Sequence, residues 1–331
     1  MNILYAIQGT GNGHLSRAVD VIPELRKHGK LDLFVSGAQA DIKLPYPVKY
    51  KSKGLSFHFG TRGGINFVDT FRKNSTKDVI KEIATLPVEK YDLVINDFEA
   101  ISAWACKKKG VPCIALSHQS ALLSKKTPRP KSIDPFGEWI LKNYAPTSSY
   151  VGFHFESYDK NIFTPVIRSG IRSANAKNLG HYTIYLPAYD DKKLVKLFLC
   201  MPAIRWKIFS KHIKVPYHVG KISVYPIGNA DFIESVVTAS GVLCGAGFET
   251  PAEVLHLNKK LLVVPMSGQY EQRCNAAALK RLGVPVLKKV RKRSVEKIQE
   301  WIDSGTPHNI SYPTITEEAV EKVFEKFRKE Y

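Results

Sequence analysis

Short apolar runs that do not alternate with polar residues constrain this chain most. Residues 2–7 and 111–116 are such runs, and 91–95 is nearly so. A strand of this kind buries both faces, as in parallel sheets covered by helices on each side. Between the runs lie helical patterns. Leu15, Ala18, Val19, Ile22 and Leu25 form one stripe and predict a helix over 15–28. Residues 100–109 predict another, and a last strand of this half lies near 150–155.

A second series begins at His181. Strands are expected over 181–187, 205–210, 223–227, 241–245 and 261–265, with helices over 190–200, 230–240, 250–258 and 269–283. The fold class is therefore α/β, with two doubly wound, Rossmann-like parallel-sheet domains. A length of 331 residues fits about two domains. Residues 1–165 form the first and 166–314 the second, with linker character over 156–180. Residues 315–331 read as a charged amphipathic helix, with Thr316 at its start and Glu317 and Glu318 in its first turn. That helix is expected to pack back on the first domain. Two such domains place a ligand between them, at the carboxyl ends of the strands.

The formal net charge is +19. It points to anionic partners and says nothing about fold. The excess is spread over both halves, whereas a nucleic-acid module concentrates it on one face with interleaved aromatics. A nucleic-acid role is therefore disfavoured, although charge alone keeps it as a rival. The basic loop 124–131, followed by Trp139, Ile140 and Leu141, suits contact with an anionic membrane. A solvated basic surface is the plainer reading. No run of about 18 apolar residues occurs. Residues 1–7 lack a basic n-region and a cleavage site, so no signal peptide is expected. The five cysteines are scattered, without a CxxC pair, which fits free thiols in a cytoplasmic protein and no zinc site.

Gly9, Gly11 and Gly13 lie between the first strand and the first helix. Glycine lets a backbone approach a ligand, and the helix N-terminus offers N–H groups to an anion. A dinucleotide fingerprint needs glycine where His14 stands, and an acid where Ser36 and Gly37 stand. His14 opens the helix at the cleft mouth. It is either a general base or a cap on the loop. Asp97 and Glu99 end another strand at the cleft. Asp97 either orients His14, is itself the base, or caps the helix at Ala100. Ser117 and His118, at the next strand end, are acceptor-side candidates or structural groups.

The densest cluster runs from Gly245 to Asn275. Gly245 and Gly247 make a tight turn, and a helix starts near Thr250 with Pro251 at an early position. Its N-terminus suits a diphosphate. Glu253 either caps that helix or accepts hydrogen bonds from ribose hydroxyls. Gln269, Gln272 and Asn275 recur every three residues and fall roughly on one helix face, where amides suit a polyhydroxyl ligand.

This cluster resembles the donor signature of the GT-B glycosyltransferases, nearest to glycosyltransferase family 28 and its UDP-glycosyltransferase relatives. The parts are a glycine turn, a Thr-x-x-Glu helix start, a Val-Pro strand end and a Gln-rich helix opening with Asn. The loop GTGNGH resembles the family's N-terminal glycine loop. The resemblance covers most of the chain, except residues 40–80 and 120–180. It implies a GT-B fold and a metal-independent hexosyltransferase that uses a nucleotide sugar, UDP-linked and with inversion. That sugar is a substrate, so no cofactor and no metal ligand is expected. Glu253 would hold the ribose. Gly245, Gly247 and Thr250 would face the diphosphate. Gln269, Gln272 and Asn275 would face sugar or ribose, and Ile227 the base. Gly11 and Gly13 would line the acceptor side with His14 as base. The acceptor is a hydroxyl, with a lipid-linked one suggested by the basic loop and a cell-envelope polysaccharide or glycolipid as product.

One departure is Asp190-Asp191, where the family often has a Gly/Ser-rich loop; acids there repel a diphosphate unless they point away. Acceptor choice is expected to depend on loops 52–76 and 120–146. The rival readings are an isomerase like UDP-N-acetylglucosamine 2-epimerase, and a non-catalytic relative that keeps the cleft.

Overall fold

The computed structural model describes residues 1–37, 44–54 and 76–331. Most of the expected acceptor loop 52–76 thus lies outside the described residues. The first half holds β1 (Asn2–Gln8), α1 (Asn12–Arg26), β2 (Lys30–Ser36), β3 (Tyr50–Ser52), α2 (Thr76–Thr85), β4 (Leu93–Asp97) and α3 (Ala100–Lys109). It continues with β5 (Cys113–Ser117), α4 (His118–Ala121), α5 (Pro135–Asn143), β6 (Ser149–Phe153) and β7 (Ile162–Phe163). The short α6 (Ser169–Arg172) follows. The second half holds β8 (His181–Tyr185), α7 (Asp191–Phe198), β9 (Arg205–Ser210), β10 (Tyr217–Val219), β11 (Ile222–Pro226), α8 (Asn229–Thr238) and β12 (Gly241–Gly245). It ends with α9 (Glu249–His256), β13 (Lys260–Val264), α10 (Tyr270–Arg281), α11 (Val295–Ser304) and α12 (Thr316–Glu330).

Among the described residues the first sheet has the order β3-β2-β1-β4-β5-β6-β7, all parallel. The second has the order β10-β11-β9-β8-β12-β13. The apolar runs sit where their pattern requires. Ile3 to Ile7 of β1 are fully buried, as are Leu93, Val94 and Ile95 of β4. β10 departs from the parallel scheme. It pairs antiparallel with β11 across a turn at Gly220, whose φ is 58°. The strands absent from the sequence reading, β3, β7 and β10, are each two or three residues long. That is too short for a period to show.

Helix α1 begins at Asn12, ahead of its apolar stripe, because Gly11 turns the chain with a φ of 102°. The expected linker 156–180 and much of the expected acceptor loop 120–146 are in fact packed. Within 156–180, Ile162, Val166, Ile167 and Ile171 are buried in a core that both halves share. The Phe155 ring lies 5.2 Å from Phe248 of the second half. In the 120–146 region Thr127 is buried and its Oγ1 donates to Ala121 O at 2.6 Å. Arg129 Nε donates to Glu138 Oε1 at 2.6 Å. Lys125, Lys126 and Lys131 remain exposed.

Helix α12 lies against α1 and the β6 side of the first sheet. Phe324 stacks on His28 at 3.9 Å, and Lys326 Nζ donates to Ser149 Oγ at 3.1 Å. Val320, Val323 and Phe324 are buried there, at roughly 1.5–3 kcal/mol each.

A second seam joins α5 to α10. Tyr270 Oη donates to Glu138 Oε1 at 2.7 Å. A β-carbon on Gly137 would lie 2.5 Å from Tyr270 Cβ, so only glycine allows this approach. Gly137→Leu is expected to lose about 1–3 kcal/mol by overpacking. Calorimetry should record a lower Tm, with a smaller drop for Gly137→Ala. An unchanged Tm in both would mean that α5 does not rest on α10.

Candidate active site

Each sheet reverses strand order at one place. In the first, β1 has β2 on one side and β4 on the other; in the second, β8 lies between β9 and β12. Loops at such a reversal splay apart and open a crevice beyond the carboxyl ends of the strands. The loop Gly9–Gly11, the turn after Asp97, the loop 186–190 and the turn 245–248 all leave from these points. A cavity of about 540 Å³ lies among them. Asn12, Gly13, Arg168, Pro187, Ala188, Ile227, Gly245, Gly247, Glu249, Thr250 and Gln272 line it. A contiguous space adds His14, Arg17, His118, Lys193, Lys211, His212, Gln269 and Glu271.

Its charged centre is buried. His14 Nδ1 lies 2.8 Å from Asp97 Oδ1. Arg17, 1% exposed, donates from Nη2 to both Asp97 oxygens at 2.7 and 2.8 Å. Its Nη1 donates to Glu249 Oε1 of α9. Burial works against a charged His14, but the nearby Asp97 carboxylate outweighs it and the pKa is raised. Burial pushes Asp97 up; Arg17 and His14 outweigh that and hold it below the ordinary carboxylate range. On its other side, His14 Nε2 lies 3.3 Å from Gln119 Nε2. The same amide nitrogen donates to Glu271 Oε2 of α10 at 3.1 Å.

Of the roles left open for Asp97, helix cap belongs to its neighbour. Glu99 accepts from the N–H groups of Ile101 and Ser102 at 2.9 and 2.6 Å, and from Ser36 Oγ at 2.7 Å. The two acids part at Phe98, whose φ is 55°. A left-handed non-glycine residue costs roughly 1–2 kcal/mol, and it clusters at sites where direction matters. The Asn96 side chain braces the turn, donating to Glu99 O at 2.7 Å and accepting from Glu99 N at 3.1 Å. Asp97 therefore faces α1 and Glu99 faces α3.

Gly13 serves a close approach of protein to protein. A β-carbon there would lie 2.5 Å from Glu249 Oε2. Ser117 is buried, and its Oγ accepts from Ser120 N at 3.1 Å, capping α4. His118 is buried and stacks on Phe248 at 3.9 Å. Its Nδ1 lies 3.0 Å from Phe153 O. Burial pushes its pKa down to about 3, so it is neutral. Gln272 Oε1 accepts from Met266 N at 2.9 Å. Asn275 is fully buried and donates to Ala246 O at 3.2 Å, shaping the glycine turn from behind.

Glu253 is likewise buried, with its carboxylate on the Arg168 guanidinium, the Nη2 contact at 2.7 Å. Arg168, not Glu253, lines the cavity. Asp190 caps α7 through Lys193 N at 3.1 Å. Asp191 turns inward to Ser210 Oγ and Tyr217 Oη at 3.1 and 2.7 Å.

The side chains that the sequence reading passed over are Arg17, Arg168, Glu249, Glu271 and Gln119. Arg17 and Glu271 sit within a turn of residues already singled out, His14 and Gln272. That spacing was the available signal. A smaller hollow of about 140 Å³ adjoins His14, lined by Phe98, Phe136, Ile140, Leu141 and Tyr270.

Residues 1–304 match the family described as glycosyl transferase family 1. The chain belongs to that family. No curated protein matches the sequence significantly. Solved structures with the same fold cover nearly all of it. MurG from Acinetobacter baumannii is 13% identical, with a TM-score of 0.56 over 98% of this chain and 99% of its own. UGT2 from Phytolacca americana, solved with UDP-2-fluoro-glucose and pterostilbene, is 12% identical, with a TM-score of 0.58 over 99% and 93%. A UDP-N-acetylglucosamine 2-epimerase is 10% identical, with a TM-score of 0.59 over 100% and 96%. The fold is GT-B, and the family is one of glycosyl transfer. Among the described residues, no helix is long and apolar enough to cross a membrane.

The His14–Asp97 pair gives stability a pH dependence. A histidine with a raised folded pKa contributes fully below its unfolded value of 6.5 and loses that contribution as pH rises through the folded value. His14→Gln should therefore cost more Tm at pH 6 than at pH 8.5. An equal cost at both would count against a protonated pair.

Proposed function

We propose that this protein transfers a sugar from a UDP-sugar to a hydroxyl acceptor, with inversion, and that His14 is the general base. The observation that carries the reading is the orientation of His14. Its Nδ1 is held on Asp97, and its Nε2 is left toward the cleft, where Gln119 meets it. With the proton on Nδ1, Nε2 is the basic nitrogen. The acceptor O–H takes the place of the Gln119 amide at Nε2. As its oxygen attacks the anomeric carbon, the proton passes to Nε2 and Asp97 stabilises the imidazolium. The bond from that carbon to the diphosphate oxygen breaks, and UDP leaves with the electron pair.

The donor lies along Ile227, Gly245, Gly247 and Thr250, with Gln269 and Gln272 toward the sugar. The α9 N-terminus has no side-chain cap, so its N–H groups suit the diphosphate. Lys193, Lys211 and His212 line the same space. The reading assigns no cofactor and no metal ligand. Asn275 acts by shaping the turn, and Glu253 by holding Arg168 at the cleft edge.

UDP at about 100 times its Kd should stabilise the protein by about 2.7 kcal/mol, and Glu253→Ala should weaken that shift. His14→Ala should lower kcat by about 10²- to 10⁴-fold at unchanged UDP affinity. No shift with any nucleotide sugar would overturn the donor assignment, and near-normal turnover in His14→Ala would move the base to Asp97. One observation favours an isomerase instead: Glu249 and Glu271 both face the cleft. A new epimer formed from the nucleotide sugar without acceptor would establish that reading.

The reading extends to a lipid-linked acceptor taken from the cytoplasmic face of an anionic membrane. Ile133, Phe136 and Trp139 are 60%, 48% and 59% exposed. Lys125, Lys126, Lys131 and Lys142 are exposed around them. Phe136 and Ile140 also line the hollow at His14. An apolar ridge with a basic surround suits an anionic bilayer. Sedimentation with anionic vesicles should fall several-fold in Phe136→Ala/Trp139→Ala and in high salt. Equal sedimentation of variant and wild type would sink this assignment.

A further inference from the structure

We propose that Arg17 is a positioning residue that ties the strength of the His14 base to the seating of the second domain. The proposal rests on the reading of His14 as base. Arg17 follows His14 by one helical turn, and its Nη2 lies 3.2 Å from His14 Nδ1. The same nitrogen grips Asp97, and the other grips Glu249. One guanidinium is thus shared by a carboxylate of each domain. The fork fits this task; a lysine, a single point of charge, reaches one carboxylate well and not both.

The sharing has a direction. With Glu249 in place, part of the Arg17 charge is neutralised from the donor side. Asp97 is then freer to hold the imidazolium. With Glu249 withdrawn, the full cation bears on Asp97 and on the ring beside it, and His14 becomes a weaker base. Gly13 is the clearance for this device, since any β-carbon there would strike Glu249. The groups facing His14 come from each packed element. They are Arg17 of α1, Asp97 of β4, Glu249 of α9, Glu271 of α10 through Gln119, and the neutral His118 of α4. Tyr5 Oη of β1 reaches Asp97 Oδ2 at 3.4 Å.

The test is direct titration of His14 by NMR in isotope-labelled, unliganded protein, beside the pH profile of kcat. Glu249→Gln should lower the His14 pKa. Gly13→Ala, which displaces Glu249 and alters no charge, should shift it the same way. The acidic limb of kcat should move with both, and kcat itself should fall on the order of 10- to 100-fold from misplacement of the base. Arg17→Lys should recover part of the kcat lost in Arg17→Met. An unmoved His14 titration in both Glu249→Gln and Gly13→Ala would overturn the proposal and leave Arg17 a structural residue. If the titration shifts but the wild type transfers no sugar, the coupling stands and the transferase reading falls.

Discussion

A buried guanidinium between a carboxylate of the first half, on β4, and one of the second half, on α9, is the interaction around which this molecule is arranged. Burying charge is costly, and a pair survives only when each member keeps its partner. Removing one member of such a group strands the others, at about 3–5 kcal/mol. Asp97 is fully buried and Arg17 nearly so, so neither can turn to water. The requirement propagates outward. It needs glycine at 13 for Glu249 to arrive, a left-handed Phe98 to aim Asp97, and α9 docked with its first turn against α1.

Much of the architecture was legible. Apolar runs in β1 and, nearly unbroken, at β4 announced strands buried on both faces, and the glycine loop announced a strand-to-helix turn. The antiparallel β10 and the packed 156–180 segment were not, because a three-residue strand has no period and buried linker residues look like any apolar scatter. The site was legible in outline. His14 could be named from its place at a helix opening and Asp97 from its place at a strand end, and the structure sets them 2.8 Å apart. Their contact depends on strand order, which no local pattern encodes.

Arg17 illustrates the limit. One arginine on a helix in a chain of net charge +19 looks like surface. Asp97 of β4 and Glu249 of α9, both remote in sequence, turn it inward. Glu253 and Glu249 make the converse case. The first fits the family spacing and lies beneath the cleft on Arg168; the second lies one turn earlier and faces it. Four residues on a helix set the two on neighbouring turns, and the depth of the crevice divides them. The basic excess also gains a location. Lys193, Lys196, Lys288, Lys289, Arg291 and Lys292 line a hollow of about 610 Å³ beside the cleft. A positive field there raises the local concentration of anions.

The cleft walls belong to separate hydrogen-bonded sheets, with β1 and β4 on one side and β8 and β12 on the other. Substitutions in the turns after β8 and β12 can therefore accumulate without disturbing the ladder that holds His14 and Asp97, and the reverse holds too. The two sides are free to drift as separate modules. What they cannot trade freely is the matched set of Gly13, Arg17 and Glu249. In a chimera assembled from two such proteins, that trio is the splice to preserve.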